Sequence, residues 1–242
     1  MLLPMVAGMM VSSITTGQLV SKFGRYKPFI IAGFSLATLS ILALTTLDAA
    51  TPYWHQAVIM AAAGLGLGMA MPILSLAVQN EFEQKDLGAA TSSVQLFRGL
   101  GSTVGTALFS GMLTLGILSS MGTPSDIPYV QTLQQSPAAS QLLGTGDIDA
   151  DVLLQLNGQK ANIREQAVQS FAGISNQQMR VAAEKTFIAQ QDSFTNDLVQ
   201  AFTDSLHSIF LIGAGLMATA LCAVTFIKNK ELRSGVKVTA AE

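Results

Sequence analysis

Residues 17–33 read GQLVSKFGRYKPFIIAG, in which two apolar segments flank a short basic turn. Three cations lie in or beside this turn, namely Lys22, Arg25 and Lys27. Gly24 permits a turn that a side chain would obstruct, because glycine adopts positive φ without steric cost. Pro28 suits the first turn of the helix that follows. The stretch therefore predicts two helices joined by a tight basic turn.

Composition places the chain among membrane proteins. Half of its 242 residues are hydrophobic and 12% are charged, whereas soluble domains carry about 25% charged residues. A mean hydropathy of +0.45 supports the same assignment. The formal net charge of −2 does not point to a nucleic-acid partner.

The apolar segments are long enough to cross a bilayer, which takes roughly 20 residues as helix. Five segments qualify: residues 1–20, 29–47, 54–78, 87–118 and 206–227. Their interiors contain no acidic residue. The sequence therefore predicts an all-α, multi-pass membrane protein with five transmembrane helices.

Cations in the short loops set the expected orientation, because positive charge stays on the cytoplasmic side. The turn at 21–28 and the loop at 80–86, which carries Lys85, are expected inside. The loop at 48–53 has no cation and is expected outside. The basic tail at 228–242 is expected in the cytoplasm, which leaves the N-terminus outside. A further span before the chain would restore a cytoplasmic start.

A polar stretch, residues 122–205, separates the fourth and fifth spans and is expected to be extracytoplasmic. Ser175 followed by Gln178 fits a capping box at a helix start. An apolar stripe at helical spacing then runs into the last span: Phe187, Phe194, Leu198, Phe202 and Leu206. The pattern predicts a helical hairpin whose second arm continues into that span. The alternative is a disordered acidic loop.

Neither a metal site nor a cofactor is indicated. Cys222 is the only cysteine and lies in an apolar run. His55 and His207 are far apart and have no ligand spacing around them. No nucleophile elbow or phosphate loop supports a membrane enzyme.

Glycines within the spans predict close packing of helices. Gly64, Gly66 and Gly68 lie in the third span, and Gly101 and Gly105 form a small-xxx-small pair in the fourth. A dinucleotide-binding loop would need a preceding strand and a phosphate exposed to water, neither of which fits an apolar helix.

Arg98 is a cation within the fourth span. If the helix starts near Asp86, Arg98 lies ~18 Å along it at ~1.5 Å per residue. A cation at a helix centre costs roughly 2.5–3.5 kcal/mol on insertion scales, so such residues usually face a bundle interior. Snorkelling toward the cytoplasm is the alternative, and the sequence does not choose between them.

The basic turn resembles the major facilitator signature G-x-L-a-D-r-x-G-r-k, which joins the second and third helices of each six-helix half. The matching residues are Gly17, Leu19, Gly24, Arg25 and Lys27. Ser21 stands where the signature has aspartate, so the role of that carboxylate is not transferred.

A second string, AVQNEFEQKDLGAATSSVQLFRGLGSTVGTALFSG at residues 77–111, is similar to the fourteen-span drug/proton antiporter family 2. The two resemblances imply that the chain is a C-terminal fragment that contributes five helices to a major facilitator bundle. The N-terminal half of the transporter would then be missing.

The resemblance implies proton-driven export of amphipathic drugs or other small organic compounds across a bacterial inner membrane. Candidate residues of the substrate cavity are Met5, Met9, Ser12, Thr16, Gln79 and Gln95. Some members of this family work with a periplasmic adaptor protein, which would be a further partner. Any titrating carboxylates are expected in the missing half, and the fragment alone is expected to be inactive.

Two other functions remain open. The chain could be a membrane-anchored scaffold that binds an envelope partner through its extracytoplasmic hairpin. It could also be a half-size transporter that acts as a dimer.

Overall fold

The computed structural model describes residues 2–47, 51–135 and 148–227, and within these residues the secondary structure is helical, without strands. The helices of these residues are α1 (Leu3–Phe23), α2 (Lys27–Leu44), α3 (Tyr53–Glu81), α4 (Leu87–Met121), α5 (Pro128–Gln134), α6 (Ala150–Gly158), α7 (Lys160–Phe171) and α8 (Gln177–Thr225), with a short 3-10 helix at Pro124–Asp126. The basic tail at 228–242, expected in the cytoplasm, lies outside the described residues.

Five of these helices are long and apolar enough to cross a membrane: α1, α2, α3, α4 and α8. This confirms the expected all-α membrane fold. The chain divides into two compact units. The membrane unit contains the described residues up to Thr106 and from His207 onward, and the loop unit contains the described residues of Ala107–Leu206.

Within the membrane unit, α3 packs against both α1 and α2. Positions four apart share a helix face, whereas the position between them points to the opposite side. Gly64 and Gly68 accordingly contact Met5 and Met9 of α1, while Gly66 contacts α2. The sequence GLGLG at residues 64–68 therefore brings α3 into backbone contact with a helix on each side.

Gly101 and Gly105 differ from these glycines. A Cβ added at either position would meet no atom within 4 Å in the part of the chain that the structure describes. The helix contact expected from their spacing is therefore not made by these residues. The two glycines leave part of the α4 surface without side chains, and no residue of the described chain packs against it.

The loop unit has an apolar core of its own. Phe187, Phe194 and Leu198 of α8 are buried there, against Tyr129 of α5 and Leu153 of α6. The expected stripe on one continuous helix is confirmed, since α8 runs from Gln177 to Thr225. In the described parts of this stretch, residues 122–135 and 148–205, the chain is largely helical and packed rather than a disordered acidic loop. The partner of the long arm consists of several short helices instead of a single arm.

The start of α8 is capped one residue later than the sequence suggested. Asn176 Oδ1 accepts hydrogen bonds from the backbone N–H groups of Gln178, at 2.9 Å, and Met179, at 3.3 Å. The expected box from Ser175 to Gln178 is therefore wrong. Asparagine caps a helix as well as serine does, because its side-chain oxygen reaches the same free N–H groups.

Candidate functional site

A cavity of about 810 Å³ lies between α3 and α4 in the membrane unit. Its wall is mostly apolar, with two charged residues, Asp86 and Arg98. The apolar residues of the wall are Met71, Leu74, Val78, Phe82, Ala89, Ala90, Val94 and Phe97. Ser93 adds a hydroxyl group. The volume falls within the range of small-molecule sites, roughly 300–1,000 Å³.

The cavity lies between one face of α3 and one face of α4, and its lining side chains recur every three or four residues on each helix. Met71, Leu74 and Val78 recur at this spacing on α3, and Ala90, Val94 and Phe97 do so on α4. Positions with this spacing share one helix face. Sequence reasoning missed these residues, since ordinary packing gives the same apolar spacing.

Arg98 lines this cavity and reaches across to α3. Its Nη2 donates a hydrogen bond to Ser75 Oγ at 3.1 Å. Among the described residues its guanidinium makes no ion pair. Arg98 is exposed in the described chain, and the interpretation that it faces the interior of the bundle stays a prediction.

The residues expected to line a substrate cavity do not border this one. Ser12 and Thr16 are buried where α1 packs, and Ser12 Oγ donates to Met9 O at 3.2 Å. Both hydroxyls are buried in the described chain, and their role in a substrate pathway stays a prediction. The absence of a side chain at Gly68 makes room for Ser12, whose Oγ a Cβ at that position would meet.

The other four candidates have separate surroundings. Met5 contacts Gly64 through its backbone, and Met9 is 37% exposed. Gln79 Nε2 lies 3.4 Å from Thr91 Oγ1, and Gln95 is exposed on α4. Their roles in a substrate pathway stay predictions.

The basic turn has the geometry that its glycine requires. Gly24 follows α1 with a φ of 67°, in the left-handed region, and its N–H donates to Val20 O at 2.9 Å. Tyr26 is fully buried beside Val20. Three further residues of the signature in α1 are each exposed: Gly17, Leu19 and Ser21.

Lys27 joins this turn to the last helix. Its Nζ donates to Thr225 O, at the C-terminal end of α8, over 2.8 Å. Carbonyl groups at a helix C-terminus lack helical partners and attract cations. Lys27 makes this bond, whereas Arg25, the other cation of the turn, is exposed.

We expect Lys27→Gln to destabilise the membrane unit by about 1 kcal/mol, because a charge-assisted bond to a helix end is lost. Thermal unfolding of the purified protein in detergent measures the effect. Lys22→Gln is the matched control, since Lys22 is an exposed cation in the last turn of α1. Equal melting temperatures for the two variants would contradict the assignment.

The loop unit contains a buried polar network centred on Gln191, which is 1% exposed. Gln191 Nε2 donates to Tyr129 OH at 2.9 Å and to Lys160 O at 3.0 Å. Arg164 Nε donates to Gln191 Oε1 at 2.9 Å, and Arg164 also pairs with Asp192 at 2.7 Å. Burial raises the pKa of Tyr129, so its phenol stays neutral at physiological pH.

A cavity of about 460 Å³ borders this network in the loop unit. Its wall carries both signs of charge, from Lys160, Arg164, Glu165 and Asp192. The described residues contain no group of three or more His, Cys, Asp or Glu side chains that would hold a metal ion. The network joins the short helices of the loop unit to α8.

Comparison with protein families gives a match to the Major Facilitator Superfamily over residues 1–122. No solved structure matches the chain.

Curated relatives include Multidrug transporter protein MdtP of Bacillus subtilis, 33% identical over 231 residues that make up 95% of this chain. The Tetracycline resistance determinant of Streptomyces rimosus is 25% identical over 183 residues, or 70% of the chain. The Aspyridones efflux protein of Neocamarosporium betae is 34% identical over 125 residues, or 48% of the chain. The matches span 39%, 52% and 22% of these relatives respectively.

Proposed function

The chain belongs to the Major Facilitator Superfamily, and we propose that it forms part of a transporter that exports amphipathic small organic molecules. The observation that carries this proposal is the 33% identity with a multidrug transporter over 95% of the chain. The apolar cavity between α3 and α4 supports it, because its volume suits a small organic ligand.

The transporter would alternate access by rocking its two halves around a central cavity. We place the basic turn and the end of α8 on the cytoplasmic side. The bond from Lys27 Nζ to Thr225 O supports a common side for both. At the other end of the membrane-spanning part of α8, His207 Nε2 lies 3.0 Å from Leu47 O, next to the loop proposed to be outside.

Coupling to protons is part of the proposal. The described interiors of the five spans carry no carboxylate that would titrate, so the coupling groups would belong to the remainder of the transporter. Residues 1–242 alone are therefore expected to export nothing.

Efflux of a neutral amphipathic dye such as Nile red tests the proposed function. The complete gene is expressed in a bacterial strain that lacks its own multidrug pumps. We expect dye accumulation to fall several-fold against the empty vector, and a proton uncoupler to restore it. Unchanged accumulation, with the protein shown to be in the membrane, would refute the function. Strong efflux from residues 1–242 alone would refute the partial role.

A second candidate function is binding of an envelope partner, such as a periplasmic adaptor, by the loop unit. The separate apolar core of this unit supports the candidate, since a surface loop that only joins two spans needs no core. Replacing residues 122–203 with a short flexible linker discriminates the two functions. If the chain is part of a transporter, cells with this variant should retain part of the efflux. If it is a scaffold, the variant should no longer bind its envelope partner.

A further inference from the structure

We infer that the cavity between α3 and α4 selects amphipathic molecules with a single carboxylate, which pairs with Arg98 while their apolar part occupies the remaining wall. The inference rests on the proposed export function and names the substrate class of that site.

The expected carboxylate on the ligand follows from the hydrogen-bonding capacity of Arg98. A guanidinium carries five N–H donors, and in the described residues a single contact, to Ser75 Oγ, satisfies part of this capacity. The surrounding wall of Met71, Val94 and Phe97 offers no acceptor side chain. A carboxylate accepts two parallel hydrogen bonds from a guanidinium, so it complements the unpaired donors.

The protein's own carboxylate on this wall is too far away to serve. Asp86 precedes the first turn of α4, and Arg98 lies twelve positions further along the helix, or ~18 Å at ~1.5 Å per residue. A carboxylate at that position is stabilised by the helix N-terminus. Its charge also disfavours a second acidic group at that end of the ligand, so the cavity suits monoanions.

The size and polarity of the cavity exclude small inorganic anions. A volume of about 810 Å³ with a mostly apolar wall would leave phosphate or sulfate without contacts on most sides. An unbranched or aromatic apolar body of drug size fills this space and buries apolar surface. Charge complementarity and volume together favour an amphipathic carboxylate over other ligands.

An anionic phospholipid offers the same charge and is the competing source of that chemistry. Its two acyl chains and large headgroup need a groove open along its length. We commit to a transported carboxylate and make the lipid an outcome of the test.

Binding is tested on the protein expressed from its complete gene and placed in nanodiscs of phosphatidylcholine. The probes are dodecanoate, methyl dodecanoate and dodecylammonium, each competing with the neutral fluorescent dye N-phenyl-1-naphthylamine. We expect dodecanoate to displace the dye at a concentration ~10-fold lower than its methyl ester, as one charge-assisted contact worth a factor of ten would give. Dodecylammonium is expected to compete least.

Arg98→Gln should abolish the preference for the acid, so that dodecanoate and its methyl ester displace the dye at similar concentrations. Lys185→Gln is the charge control, because Lys185 is an exposed cation on the loop-unit part of α8. Val94→Trp should weaken binding of all three probes by filling the cavity. Leu100→Trp is its control, since Leu100 is exposed on α4 outside the cavity wall.

If the unmodified protein bound acid and ester with equal affinity, the inference would be overturned. This comparison uses no variant, so it is valid even if the Arg98→Gln protein misfolds. A preference that persists in Arg98→Gln would also overturn it. So would a preference that disappears when phosphatidylglycerol replaces phosphatidylcholine, because lipid would then occupy the cavity. Nile red efflux without any acid preference would sink this inference and leave the export function standing. A preference for the acid without any efflux would refute the export function and leave the binding inference intact.

Discussion

Gly66→Ala should destabilise the membrane unit by about 1–3 kcal/mol, the cost of adding a methyl group to a packed interface. The new Cβ would lie 2.5 Å from Ala37 N and 2.7 Å from Gly33 O, both backbone atoms of α2. Backbone cannot rotate away as a side chain can, so α2 and α3 would have to separate. Helix association in lipid depends on such close contacts, since lipid removes the hydrophobic driving force.

The matched control is Gly101→Ala, the same substitution within another membrane helix. An added methyl group meets no atom of the described chain there, so no loss of stability is expected. Alanine also favours helix by about 1 kcal/mol over glycine. Denaturation of the two purified variants in detergent compares them directly. Equal stabilities would show that the close contact at Gly66 carries little energy. The larger Gly66→Leu is expected to prevent folding.

Gln191→Leu should destabilise the loop unit by on the order of 3 kcal/mol. The substitution keeps a similar volume but leaves Tyr129 OH, Lys160 O and Arg164 Nε without their partner. Each buried polar group left unpaired costs about 1–3 kcal/mol, and more when it is charged. Hydrogen exchange of α5 and α7 backbone amides in the complete protein measures the loss.

The control for this variant is Gln200→Leu, which lies on the same helix but is exposed. Its effect should stay within about 0.5 kcal/mol, as for most surface substitutions. A double variant, Gln191→Leu with Tyr129→Phe, should recover part of the loss, because removing both partners of a hydrogen bond costs less than removing one. Equal exchange rates in the Gln191 and Gln200 variants would contradict a stabilising network.

Arg98 illustrates how far the sequence reaches. A charge in an apolar run is visible in the letters alone, and its unusual cost marks it as a residue with a specific partner. The partner depends on which face of α3 meets α4, and periodicity does not determine this. The bond to Ser75 and the cavity beside it required the tertiary structure.

Gly66 and Gly101 make the same point about packing. Both are glycines in apolar helices with other glycines nearby, so their sequence patterns predict the same close helix contact. In the fold, Gly66 lies against backbone, whereas a Cβ added at Gly101 would meet no atom of the described chain within 4 Å. The sequence of a helix does not show which of its faces is covered, because the neighbouring helices determine that.

The five spans, the basic turn and the stripe on α8 were determined by the sequence itself. Hydrocarbon length, the cost of moving cations through it and the 3.6-residue helix period are local rules that act on consecutive residues. The tertiary structure alone decided that Lys27 rather than Arg25 binds the end of α8, that Ser12 and Thr16 are buried, and where the cavity lies. These features depend on distances between segments remote in sequence, such as the 2.8 Å from Lys27 Nζ to Thr225 O. Packing of whole helices sets those distances.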